Sequence, residues 1–166
     1  MKTLISTVMV LVALSAGGAF AAEEAEQEAP PRFLPGAQVE MRITLQAPKQ
    51  WKLNHQMPLT FYFDPEYLEE APFTVSEPSL TVKLDQYTPV LTVVIPVRLQ
   101  EKLADGHLTI PLPVRFSICN EVTDSCAFAE EILTIPVDVT TAASGDDVNQ
   151  ALKSGSVELS HLLSIP

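Results

Sequence analysis

The sequence predicts an all-β fold, an antiparallel β-sandwich, and three observations carry that prediction. Apolar residues recur at every second position in run after run, the period of a half-buried strand. Pro, Gly, Asn and Asp signals punctuate those runs at short intervals. Past the N-terminus, almost no stretch repeats its apolar residues with the period of a helix. About seven short strands arranged in this way fit two packed sheets.

The first residues are organised differently. Lys2 precedes an apolar run from 4 to 14 and then small residues ending in Ala19-Phe20-Ala21. A basic start, an apolar stretch and an A-x-A site mark a secretory signal peptide, assigned to residues 1–21 with cleavage after Ala21. The run is too short to span a bilayer, and no cysteine follows it to take a lipid. No stable membrane insertion is therefore expected after cleavage. Residues 22–37 are acidic and contain Pro30-Pro31 and Pro35-Gly36, which reads as a flexible lead-in.

From residue 38 the period becomes two. Val39, Met41, Ile43 and Leu45 alternate with Glu40, Arg42 and Thr44, until Pro48, Lys49 and Gln50 break the run. Leu59, Phe61 and Phe63 form the next strand, ending at Asp64-Pro65. Residues 66–71 make one helical turn or an open loop. Phe73 to Val75 is a short strand, and Leu80, Val82 and Leu84 mark a firmer one. Residues 90–99 form a more continuous apolar run, the pattern of a strand covered on both faces, with Pro96 arguing against a central place along its full length. Asp105-Gly106 is a turn signal. The cleanest alternation follows, with Leu108, Ile110, Leu112, Val114, Phe116 and Ile118 on one face. Leu133, Ile135, Val137 and Val139 close the series. Pro96, Pro111, Pro113 and Pro136 lack a ladder donor and are expected at edges or bulges. Residues 38–140 thus form one domain. Residues 141–166 are expected to be a weakly structured tail, with weak helical turns at most over 148–152 and 157–163.

Charge narrows the partners. Lys2 is the one charged residue before Ala21, so the remainder is a unit more negative than the −11 of the whole chain. A domain this acidic repels nucleic acid and anionic membrane surfaces and favours neutral or basic partners. No nucleic-acid partner is expected.

The chain has two cysteines, Cys119 and Cys126, in the connection between its last two alternating runs. Cys119 continues the odd, outward set of the run ending at Ile118, and Cys126 falls on the outward parity of the run from Leu133. A pair this local does not resemble the core bridge that joins two sheets of a sandwich from distant positions. Closing a loop of about eight residues stabilises by only about 2 to 2.5 kcal/mol in the chain-entropy account. An exposed short-loop disulfide tends instead toward exchange with other thiols. Glu121, Asp124, Glu130 and Glu131 surround the pair, with Arg115 the nearby cation in sequence. Negative charge disfavours a thiolate, which suits a reductant or relay more than a strong oxidant. That charge, and the absence of a nearby His, argue against a nucleophilic hydrolase. On the residues alone three readings stay open: a redox-exchange pair, a structural hairpin disulfide in a non-enzymatic β-sandwich interaction module, and metal or other uses of the pair.

A wider pattern bears on the choice. Leu91-Thr92, Pro96-Val97, the Gly106 turn, Leu108-Thr109-Ile110, Val114-Arg115-Phe116, the cysteine hairpin and Leu133-Thr134-Ile135-Pro136 together resemble the N-terminal periplasmic domain of the disulfide reductase DsbD. Trp51-Lys52-Leu53-Asn54 is similar to that family's aromatic-led early segment. The resemblance covers residues 38–140, and the cysteine hairpin carries most of it. It implies an immunoglobulin-like antiparallel β-sandwich in the periplasm, with Cys119 and Cys126 as the catalytic redox pair, Cys126 as the attacking member, and no cofactor. The implied partners are periplasmic thioredoxin-like proteins and a separate electron donor, because the membrane-spanning and C-terminal thioredoxin-like parts of the full reductase are not in this sequence.

The chain departs from that family in three places. Its cysteine loop is slightly longer, and Ala127-Phe128-Ala129 replaces an aromatic–proline pair. The family's aromatic cap loop falls near residues 77–87, where the one aromatic is Tyr87, read as ordinary strand packing. His55, His107 and His161 are isolated without metal-ligand spacing, and His55 with Met57 reads as a surface loop near Trp51, not a copper site. No Gly-rich phosphate loop or nucleophile elbow occurs, so no cofactor-binding or metal residue is assigned.

Overall fold

The computed structural model describes residues 31–141 and 152–165. The signal peptide over 1–21, the lead-in up to residue 30 and residues 142–151 lie outside that description.

Alternation becomes structure almost element by element. The strands are β1 (Arg32–Gln46), β2 (Trp51–Leu53), β3 (Leu59–Tyr62), β4 (Phe73–Val75), β5 (Ser79–Val82), β6 (Val90–Leu99), β7 (Gly106–Asn120), β8 (Cys126–Val139) and β9 (Leu152–Leu162). One short helix, α1 (Pro65–Glu70), interrupts them. Asp64 caps it by accepting from the Glu66 N–H at 2.9 Å, and Pro65 supplies a first-turn residue that needs no donor. The all-β expectation holds. No helix among the described residues is long and apolar enough to cross a membrane.

The strands form one curled sheet in the order β4-β6-β1-β8-β7-β3-β5, with β2 on β7 and β9 on β1. Arg32 and Phe33 pair with Asp138 and Val139 of β8, then a register shift passes the rest of β1 to β6 and β9. Gly36 sits in that shift at φ +77°, a conformation an L side chain rarely adopts. Val39, Met41, Ile43 and Leu45 belong to one buried core cluster with Ile110, Leu112, Leu133 and Ile135, so both halves of the sheet share a single apolar interior.

Four expectations need correction. The sheet is mixed, because β1 runs parallel to both β8 and β9. The lead-in does not extend to residue 37: β1 starts at Arg32, and Phe33 is fully buried, its ring giving this end of the strand an anchor. β6 is covered on one face, since Val90 and Val94 are exposed. The expected weak tail holds β9, which zips along β1 from Gln38↔Ser154 to Gln46↔Leu162 and buries Val157.

The prolines fall where one lateral neighbour is missing. Pro96 pairs with β1 just before β4 joins β6, and Pro111 and Pro113 pair with β8 before β3 reaches β7. Pro136 pairs with β7 short of the β1 contact. Each can lack its N–H without breaking a second ladder.

Candidate functional site

The β7–β8 hairpin pairs without interruption from Gly106↔Val139 to Cys119↔Cys126. The Asn120 side chain closes its tip, accepting from the Val122 N–H at 2.9 Å and the Thr123 N–H at 3.1 Å. Asp124 takes a positive φ of 54°, and the Asn120 N–H donates to the Ser125 carbonyl at 2.8 Å. This turn brings the cysteines directly opposite each other, with Cα atoms 4.0 Å apart, and they form a disulfide.

Their surroundings differ. Cys119 has a strand on each side, β8 at Cys126 and β2 at Lys52, and is only 8% exposed. Cys126 has β7 on one side and is exposed. The outward parity expected of both positions holds in register, but lateral cover buries the Cys119 residue and leaves Cys126 exposed. Strand parity reports faces and is silent about neighbours along the sheet.

Two residues whose contribution sequence reading missed sit at this mouth. Lys52 is opposite Cys119 in register and forms an ion pair with Glu121. A cation thus sits at the disulfide, Lys52, while Arg115, the cation nearby in sequence, pairs with Glu130. Tyr87 reaches the mouth because the Leu53 N–H donates to the Thr88 carbonyl at 2.8 Å, tying its segment beside β2. Tyr87 and Lys52 line a cleft of about 300 Å³ with Cys119, Cys126, Glu121 and Asp124. The His55 ring meets Tyr87 edge-on at 4.4 Å. The Nδ1 atom of His55 is buried and has no hydrogen-bond partner among the described residues. Tyr87 therefore belongs to the site, although its spacing in sequence reads as plain strand packing.

The expected acidic ring is smaller than four residues. Glu121 and Asp124 line the cleft, but Glu130 and Glu131 are engaged elsewhere. Glu130 accepts from the Tyr62 hydroxyl and from Arg115 Nε, each at 2.5 Å, while the Arg115 guanidinium lies 4.7 Å above the Tyr62 ring. Those hydrogen bonds hold the Glu130 carboxyl below its ordinary pKa and raise that of Tyr62. Glu131 has the inward parity of β8 and meets His161 Nε2 at 2.5 Å.

His107 Nδ1 lies 2.7 Å from Asp138, so two of the three histidines have carboxylate partners. Among the described residues no three His, Cys, Asp or Glu side chains gather to hold a metal ion. An exposed disulfide with one accessible sulfur beside a small cleft can accept a thiolate, or after reduction attack another disulfide. In comparisons with known proteins the chain matches no family model and no curated protein.

Proposed function

We propose that the protein is a thiol–disulfide exchange domain of the DsbD N-terminal kind: an immunoglobulin-like periplasmic electron relay acting through Cys119 and Cys126. The observation that carries this reading is the unequal exposure of the two cysteine residues at the mouth of one hairpin. Exchange proceeds through a mixed disulfide, which needs one sulfur open to a partner and a second held in reach to resolve it.

A separate dithiol donor reduces the disulfide and is itself oxidised. The Cys126 thiolate then attacks one sulfur of a thioredoxin-like partner's disulfide, expelling that partner's other sulfur as thiolate. The Cys119 thiolate attacks the Cys126 sulfur, releasing the partner's remaining thiolate and restoring the bond. Two electrons pass to the partner, and two protons from solvent complete its thiols. The ion pair of Lys52 with Glu121 offsets part of the local negative charge that would otherwise oppose a thiolate. Tyr87, in edge contact with His55, narrows the cleft that both cysteines line.

The competing reading is a structural hairpin disulfide in a non-enzymatic interaction module. The short loop speaks against it, because a bond that closes so few residues contributes only about 2 to 2.5 kcal/mol. The reduction potential decides between them. Exchange requires a value above about −300 mV, and a potential far below that, the range of structural disulfides, sinks it. Trapping supplies the second arm: a Cys119→Ser variant is expected to hold a mixed disulfide with a thioredoxin-like protein through Cys126. No adduct from either single-serine variant favours the structural role.

A further inference from the structure

The outer face of β8 carries a second feature in line with the disulfide. Cys126, Phe128, Glu130 and Ile132 alternate with inward positions and share one face, successive members about 7 Å apart. Phe128 and Ile132 are each 65% exposed, among the most open large apolar side chains described. Glu130, between them, is drawn across the sheet by Tyr62 and Arg115, so its charge is compensated where it would otherwise interrupt the apolar surface. Met57, 39% exposed in the β2–β3 connection, faces the same ground and lines a groove of about 410 Å³ with Phe116, Phe128 and Ala129. No strand covers the other edge of β8 beside Cys126 among the described residues.

A lone exposed phenylalanine is unremarkable, but two in-line apolar side chains and a groove beginning one strand repeat from a reactive sulfur are not evenly scattered surface. In the groove itself Arg115 and Glu130 offset each other, while Asp124 lies in the neighbouring disulfide cleft, on a chain of net charge −11. A partner reaching the sulfur meets both features together.

We propose that Phe128, Ile132 and Met57 form the docking shoulder on which a protein bearing a redox-active cysteine seats, its contact surface apolar at the centre and basic at the rim. This rests on the exchange reading above and adds the surface that selects the partner. Cys126 supplies the reacting atom. Phe128 supplies the apolar anchor beside it, as large aromatic side chains do at the centre of interfaces. The acidic surround speeds encounter with basic partners and slows acidic ones.

The test compares protein and small-molecule reductants on the full chain. Oxidised wild type is reduced by dithiothreitol, by a basic dithiol protein of thioredoxin fold and by an acidic one, with rates read by thiol labelling. The basic protein is expected to react faster than the acidic one, by a factor that shrinks as salt is added. Phe128→Ser is expected to slow the basic protein about tenfold or more, as loss of an aromatic anchor does, while the dithiothreitol rate stays within about twofold. Phe128→Leu is expected to recover most of the loss, and Met57→Ser, on a separate segment, to lower the rate in the same direction. Unchanged protein rates in both serine variants overturn the docking shoulder, as do equal rates with the acidic and basic proteins. In either case the exchange reading stands. A wild type that, once reduced by dithiothreitol, passes electrons to no thioredoxin-like disulfide instead removes the exchange reading itself.

Discussion

His161 Nε2 lies 2.5 Å from Glu131 Oε2, fastening the end of β9 to the middle of β8. The Ser164 N–H donates to the other oxygen of the same carboxylate at 2.6 Å, and the Leu163 N–H donates to the Gln46 carbonyl at 2.9 Å. A carboxylate on the inward parity of a strand needs such partners, because leaving it unpaired near the core is costly. His161→Ala is expected to destabilise the fold by about 1 to 2 kcal/mol in urea unfolding at neutral pH. No change would mean that Ser164 and water satisfy Glu131 alone.

Removing residues 152–166 should cost more than losing that one contact. Val157 and Leu163 are both buried, and each contributes about 1.5 to 3 kcal/mol by leaving water. The truncation also strips the β1 edge of its parallel partner. The shortened chain is expected to unfold at markedly lower urea concentration than the full one. An unchanged midpoint would contradict the packing of β9.

Glu130 predicts an acid-sensitive component of stability. Its folded-state pKa is depressed, first by the Tyr62 hydroxyl and then by Arg115. A depressed carboxyl contributes stability that is complete above its unfolded value of about 4.3 and is lost as pH falls through the lower folded value. Glu130→Gln is therefore expected to be less stable than wild type at pH 6, with the gap narrowing as pH falls below about 4. Unfolding midpoints across that range check the sign; a gap that widens on acidification would refute it.

Much of this arrangement was legible in the residues. Ile110 through Ile118 and Leu133 through Val139 alternate cleanly, so their faces could be assigned and both cysteines placed outward. β9 was not legible, because Val157, Leu159, Leu162 and Leu163 satisfy both a two-residue and a helical spacing. Its partner, β1, lies more than a hundred residues earlier, beyond the reach of any local pattern. Lys52 and Tyr87 were hidden for the same reason: each reaches the disulfide through a contact with a distant strand or bridge. Phe128 could have been found, since it shares the parity of Cys126.

Gly36 is expected to resist substitution. Its φ of +77° sits in the register shift where β1 leaves β8, and its N–H donates to the Gln100 carbonyl at 3.0 Å. An added Cβ would meet the Glu101 carboxylate, the far end of a flexible side chain that can move aside, so the backbone conformation sets the penalty. Gly36→Ala is expected to destabilise by about 1 kcal/mol, a drop of roughly 2 to 4 °C in Tm for a chain of this size. An unchanged Tm would show that β1 can pass between its partners without a left-handed residue.

The difference between the two sulfurs gives the most direct prediction. Once the disulfide is reduced, Cys126 remains open at the hairpin mouth while Cys119 stays between β2 and β8. Alkylation follows the fraction of thiolate and the access to it, and access here favours Cys126. Limiting iodoacetamide at pH 8 is expected to label Cys126 about tenfold faster than Cys119, read by peptide mass spectrometry. Tyr87→Ala should narrow that ratio by opening the cleft that Tyr87 lines together with the more buried Cys119. Equal labelling in the wild type would mean that reduction loosens the hairpin mouth. The order of attack would then have to come from the partner and not from the fold.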